Sequence, residues 1–459
     1  MTDSAPVRTG AHGVEHERAA ASEPLPRALG LWALWLLVVN GMIGAGIFGL
    51  PSDAARLAGD LSPAIFVLCA VLVLPILLTF GQLASRFGNT GGPMLYVATA
   101  FGPFAGFQAG WAYYMGRVTA FAANLSLMVA TIGYFWPIAA SGPTRAVLLL
   151  AICAGFAALN ARGGATAIRG LSLLTVLKLL PLVLLVLAGV DLIVSDAAAP
   201  ATGSAPTPAP RDGYGLAGLA NLDLGAVILL VIYAYVGFES GLVPAGEARN
   251  PTRDMPRALI TGLATVAVLY AAVQWVYVTV NPSADAGERP LVALGAALLG
   301  PTGAVVIVGA IIVSVGGNLL GSMFSTSRIT YRLARDGQLP AVLGRVHPVS
   351  GMPIPSILLY AGIGCALALS GTFAWLAALS VVTRMLLYLA CIAALPGVAR
   401  TTASDETRRT WPKGGLNGAL GAVVCLGLLT QVSLSTWLGA GALLGAGTLL
   451  YLWAVRAAR

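Results

Sequence analysis

The chain has 459 residues, of which 58% are hydrophobic and 10% charged, with a mean hydropathy of +0.85. Soluble domains carry roughly a quarter charged residues, so a soluble globular protein is excluded. The net charge of +8 does not point to nucleic acid, because the basic residues stand singly between apolar runs rather than together on one polar face.

Residues 1–28 form a polar tail with Arg8, Arg18 and Arg27. The tail lacks the short apolar core and small-residue cleavage site of a signal peptide, so the first span is expected to direct insertion. A bilayer crossing takes about 20 apolar residues, and this length accommodates about a dozen with no room for a separate catalytic domain. Apolar runs fall near 30–57, 62–85, 94–136 (a short amphipathic lead-in, then a span), 144–160, 170–194, 223–247, 256–280, 302–333, 353–370, 373–398, 414–432 and 435–456. The expectation is therefore an all-α integral membrane protein with about 12 transmembrane helices. Its core, 29–398, is read as two five-span repeats, 29–194 and 223–398. An Ala- and Pro-rich outer linker, 195–222, joins them, and 399–459 adds two further spans and a short tail. Arg56, Arg145, Arg211 and Arg289 fall in outer connections, Arg117, Lys178 and Arg384 within spans, and the remaining 19 of the 26 Lys and Arg on the side of the N-terminus. The positive-inside rule then puts both termini in the cytoplasm.

Two spans differ from the rest. The first holds Asn40-Gly41-Met42-Ile43-Gly44-Ala45-Gly46, and each mid-helix glycine costs about 1 kcal/mol relative to alanine. The sixth holds Tyr233-Ala234-Tyr235-Val236-Gly237-Phe238-Glu239, again weakened by glycine and carrying a carboxylate. The weak points lie five spans apart. An odd spacing sets the two repeats in opposite orientations, the arrangement of transporters whose broken helices meet at the membrane midplane. A restarting helix presents amides without intrahelical partners, so Ala45 and Gly46 can bind a carboxylate. A half-helix that ends frees carbonyls, and those of Met42, Tyr233 and Val236 can accept from an ammonium group. Together they match a zwitterionic α-amino acid. The candidate substrate contacts are Met42, Ile43, Gly44, Ala45, Gly46, Tyr233, Val236 and Gly237, with the Tyr233 ring read either as a cover for the ligand or as ordinary packing.

These residues belong to a wider pattern. The segments GMIGAGIFGLP, NTGGPMLYVATAFGPFAGFQAGW, YVGFESGLVPAGEARNPTRDMPRAL and STSRITYRLARDGQLP occur in this order, and with them the sequence resembles the amino acid–polyamine–organocation superfamily from residue 29 to 456. The resemblance implies a LeuT-like five-plus-five inverted repeat with broken helices 1 and 6, two further helices, and proton-coupled uptake or exchange of amino acids or amines. Members often have Ser or Thr where this chain has Ala45.

Ionisable groups inside a bilayer are costly and face partners or cavities. Lys178 stands in LLTVLKLLPLVLLVLAG, a stretch with no acid. Desolvation penalises its charged form, which opens proton uptake and release to it. In the superfamily a lysine at this place occupies the position of a sodium ion and is linked to proton coupling; the alternative is a permanently charged lysine tying span 5 to free carbonyls of span 1. Glu239 is read as a proton-sensitive gate or as the counter-ion of Arg117 or Arg384. The two arginines cannot release a proton; they lock the bundle or hold a carboxylate. His12, His16 and His347 lie in polar segments, so no histidine relay is expected. The charged segments 247–257 and 328–336 are read as topology signals or as an inner gate of ion pairs.

Cys69, Cys153, Cys365, Cys391 and Cys425 sit singly in apolar runs, with no metal-ligand or disulfide spacing. No catalytic triad, phosphate loop or cofactor motif occurs, so an enzyme is not expected. The leading reading is a proton-coupled amino acid transporter of the bacterial inner membrane whose partners are its cargo, protons and lipid. An amino acid or amine exchanger is the alternative, followed by a transporter-like sensor. The sequence carries no signature of an oligomeric state.

Overall fold

The computed structural model describes residues 29–87, 92–162, 171–198, 223–242, 248–282, 289–401 and 414–457. The polar tail, nearly all of the outer linker and the 402–413 connection lie outside them. The described residues are helical, with a single isolated bridge between Leu29 and Ala248. In chain order the helices are α1 (Leu31–Met42), α2 (Ala45–Gly49), α3 (Pro51–Ala58), α4 (Ser62–Ala84), α5 (Gly92–Phe101), α6 (Pro103–Ile132), α7 (Gly142–Ala161), α8 (Leu171–Ala198), α9 (Leu224–Ile232), α10 (Pro251–Val280), α11 (Pro290–Arg335), α12 (Ile354–Ser370), α13 (Phe373–Thr401), α14 (Gly414–Leu429) and α15 (Leu434–Ala457).

Nine helical segments among the described residues are long and apolar enough to cross a membrane. Three of the runs read from the sequence fall short of that length, each for a visible reason. The run 223–247 stops being α-helical at Ile232, and α12 and α14 are 17 and 16 residues long. The run starting at 302 begins earlier than its hydropathy suggested. Helix continues back to Pro290 across a kink at Leu299 and Gly300, immediately before Pro301, whose ring cannot follow a regular helical turn. The 94–136 run divides into α5 and α6 at Gly102, which adopts φ +90°.

Helices α6 and α13 are buried along most of their length and pack against each other at the centre. Gly116 makes this possible, because a β-carbon there would come within 3.1 Å of Arg384 and 3.2 Å of Thr383. Around them α8 packs on α11, α1 on α10, α9 on α4, α4 on α13 and α10 on α8. The outer surface is apolar: Val67 and Val71 on α4, Leu184 and Leu187 on α8, Val305 and Val306 on α11, and Leu449 and Trp453 on α15 are all exposed, as a surface facing lipid tails requires. All five cysteines are buried free thiols and serve as small packing groups.

Candidate functional site

Helix α1 ends at Met42. Ile43 (ψ 94°) and Gly44 (φ −128°, ψ −148°) are non-helical, and α2 restarts at Ala45. Neighbours satisfy the freed backbone groups. The Ala45 amide donates to Asn124 Oδ1 at 3.0 Å, and the Asn124 amide nitrogen in turn donates to the Ala120 carbonyl at 2.7 Å. Tyr270 Oη donates to the Met42 carbonyl at 3.2 Å. Lys178 Nζ donates to Asn40 Oδ1 at 2.8 Å and to the Ile43 carbonyl at 3.5 Å, so the buried lysine ties α8 to both sides of the α1 end.

Helix α9 ends at Ile232, and the chain continues through three tight turns, the amides of Tyr233, Ala234 and Tyr235 each bonding three residues back. Gly237 then turns left-handed (φ +111°), and a short 3-10 turn, Phe238–Gly241, follows. Glu239 secures this break from within. Its Oε2 accepts from the Gly237 amide at 2.9 Å and from Tyr388 Oη at 3.0 Å, and its Oε1 accepts from Arg384 Nε at 2.8 Å. The pair is buried on both sides. Arg384 also donates to the carbonyl and hydroxyl of Ser380 one turn back. Of the two arginines considered for Glu239, Arg384 forms the pair and Arg117 does not.

The breaks touch. A β-carbon on Gly41 would fall on the Gly237 carbonyl oxygen, and one on Gly237 would fall on the Gly41 carbonyl oxygen. Only two glycines allow this approach, and at Gly237 the backbone conformation independently favours glycine. Gly46 plays a packing role, since its β-carbon would lie 2.7 Å from the Ala234 α-carbon. A β-carbon on Gly44 would project toward Asn318 and Asn124, at 3.5 and 3.8 Å. A small cavity of about 30 Å³ is lined by Met42, Gly44, Ala45 and Gly46 from the first break, Tyr233, Val236 and Gly237 from the second, and by Arg117, Asn124, Asn318 and Arg384. Ile43 is buried behind it. Tyr233 stands edge-on to Phe373, ring centroids 6.0 Å apart, and Phe373 also covers Gly49. A second cavity of about 210 Å³ shares Gly41, Arg117 and Asn318 with the first and runs along Leu37, Ser240, Ser322 and Phe324.

Two interrupted helices meeting at a cavity with polar groups inside an apolar bundle are a transport architecture. The sequence profile described as amino acid permease matches residues 29–453. The chain belongs to the amino acid permease family, within the amino acid–polyamine–organocation superfamily, and is a permease rather than an enzyme. This permease is 28% identical over 359 residues to a branched-chain amino acid permease of Lactococcus lactis, covering 75% of this chain and 76% of that protein. It is also 28% identical to a glutamate/serine transporter of Bacillus subtilis (72% of this chain, 63% of the relative) and to an arginine/ornithine antiporter of Pseudomonas aeruginosa (71% and 67%).

Several residues of the permease site escaped the sequence reading: Asn124, Asn318, Tyr270, Phe373 and Tyr388. Asn124 and Asn318 were findable, because a primary amide in an apolar span is costly unless it meets a partner or a wet cavity. The tyrosines and Phe373 carry no such signal in an apolar run. Asp336 pairs with Arg332 one turn back, and among the described residues no ion pair joins the 248–257 and 328–336 segments; Glu247 lies outside the described residues.

Proposed function

We propose that this permease is a secondary active transporter moving α-amino acids across the bacterial cytoplasmic membrane by alternating access, with proton coupling and both termini cytoplasmic. The observation that carries the reading is that the two helix breaks meet at Gly41 and Gly237 and line one cavity. The first amides of α2 suit a carboxylate, once Asn124 releases that of Ala45, and the carbonyls of Met42, Tyr233 and Val236 suit the ammonium group. Tyr233 lines the cavity and stands against Phe373, and the second cavity shares Gly41, Arg117 and Asn318 with it, which supports a cycle that opens through that second cavity.

A 12-helix, five-plus-five inverted repeat is part of the proposal. Its support is the packing pattern. Exchanging each span for its counterpart five spans away converts the α6–α13 contact into α11–α8, α1–α10 into α9–α4, and α4–α13 into α10–α8, all of which occur. Lys178 is the proposed proton-coupling group. It bridges Asn40 and Ile43 at the first break and has no ion-pair partner among the described residues, so loss of its proton weakens the tie that holds the break. Glu239 acts in this account as the fixed anchor of the second break.

Exchange of one amino acid for another is the second reading, supported by the antiporter among the relatives. Transport by the purified chain in proteoliposomes separates the possibilities. The proposal expects a proton gradient to drive amino acid uptake into vesicles without internal substrate. An exchanger takes up label only against internal amino acid, and a sensor shows no counterflow.

A further inference from the structure

The central cavity carries more positive charge than a neutral amino acid can use. Glu239 is the single carboxylate beside it among the described residues, and both its oxygens are already engaged by Arg384, Tyr388 and Gly237. Arg117 is 9% exposed, lines both the central and the second cavity, and its Nε has no hydrogen-bond partner. Its side chain makes no ion pair among the described residues, and Tyr360, which meets it from α12, donates only to its backbone carbonyl, at 3.1 Å. Keeping a guanidinium desolvated and unpaired in a membrane protein is costly, and a ligand that supplies the missing anion offsets the cost.

A second observation lies beside the Phe373 cover. A cavity of about 500 Å³ is lined by Arg145, Arg289 and residues 369–372, immediately before Phe373, and among the described residues no carboxylate lines it; Asp285 and Glu288 lie outside them. Arg145 is held there by Ser126 Oγ at 3.4 Å and the Ala368 carbonyl at 3.3 Å. The charges that the described residues place there are both positive, which favours anions over cations.

Resting on the reading of the site as an amino acid carrier, we infer that the cargo bears a second carboxylate, that is, an acidic α-amino acid of the aspartate or glutamate type, and that Arg117 reads its side chain. The α-amino and α-carboxyl groups occupy the two breaks. The side chain extends toward the junction of the two cavities, where Arg117 and Asn318 stand. Arginine engages a carboxylate through two parallel hydrogen bonds, which a side-chain amide cannot reproduce. A cationic amino acid is disfavoured by like charge.

The test is a competition between acids and their isosteric amides, glutamate against glutamine and aspartate against asparagine, for binding and counterflow by the full-length protein in proteoliposomes. The wild type is expected to favour the acid by at least about tenfold, the range of a charge-assisted hydrogen bond, and to reject arginine and ornithine. Arg117→Gln should collapse the acid-to-amide ratio to near one, and Arg117→Lys should retain part of it. Because the ratio is taken within each protein, loss of total activity does not mimic the result. If Arg117→Gln fails to insert, the wild-type ratio still decides. A wild type that prefers neutral or cationic amino acids overturns the inference alone. So does an Arg117→Gln protein that keeps the acid preference, or one that loses acid and amide equally. A wild type that carries no amino acid overturns the transport reading together with it.

Discussion

The two helix breaks do the same geometric job and are held in opposite ways. The break after Met42 has no charge of its own and no left-handed residue. Its free groups are satisfied by side chains from α6, α8 and α10: Asn124, Lys178 and Tyr270. The break after Ile232 secures itself, because Gly237 takes the turn and Glu239, two residues on, caps its amide while anchoring to Arg384 and Tyr388 on α13. Hydrogen bonds lent by separate helices can be released one at a time, whereas a buried, fully satisfied ion pair cannot open without leaving a charge uncompensated. In the proposed alternating-access cycle, the first break is therefore the moving part and the second the fixed one.

The largest expected effect comes from breaking the fixed side. Arg384→Met leaves the Glu239 carboxylate buried without its partner and should destabilise the protein by about 3–5 kcal/mol. Adding Glu239→Gln should recover part of that loss, and the coupling is read from a double-mutant cycle of thermal stability. Additive losses would remove the anchor from the account.

Gly237→Ala tests the crossing itself. It places a methyl group on the Gly41 carbonyl oxygen and forces an alanine into a left-handed conformation, which together cost about 2–5 kcal/mol. Near-native stability in purified Gly237→Ala would mean that the breaks do not need this contact.

On the lent side the effects should be smaller in stability and larger in function. Asn124→Ala frees the Ala45 amide and should cost only about 1 kcal/mol. Lys178→Ala should leave a folded protein whose net uptake no longer varies with external pH. Undiminished pH dependence in that variant would return the coupling role to another group.

The contrast between the breaks was half legible in the sequence. Glycine clusters marked both interruptions, and Gly44-Ala45-Gly46 gave the restart of α2 to the residue, because backbone cost is local and readable along the chain. How each break is held was readable only in part: Lys178 reads from the sequence as a tie to free carbonyls of span 1, and it reaches that of Ile43. Whether Glu239 meets Arg117 or Arg384 depends on which helix packs beside Phe238–Gly241, and that is decided by small residues such as Gly116 in the α6–α13 contact. Gly46 shows the same limit: beside Gly44 it reads as a substrate contact, yet its missing β-carbon makes room for Ala234. Asn124 and Tyr270 became part of the site through tertiary contacts 79 and 228 residues away in sequence, at Ala45 and Met42.

The central claim is that cargo binds in the cavity where the breaks meet, and Gly44 tests it most directly. Its α-carbon faces the cavity, its φ of −128° accommodates a side chain, and the nearest atoms to an added β-carbon are the terminal amides of Asn318 and Asn124. Gly44→Leu should therefore fold and insert but fill the space beside the first amides of α2. Thermal stability of the purified protein, measured with and without glutamate, aspartate, leucine, serine and arginine, gives the answer, because a ligand that binds the native state raises its apparent stability. The account predicts that at least one of these stabilises the wild type and none stabilises Gly44→Leu. Wild-type ligand shifts in Gly44→Leu would place the binding site elsewhere and contradict it.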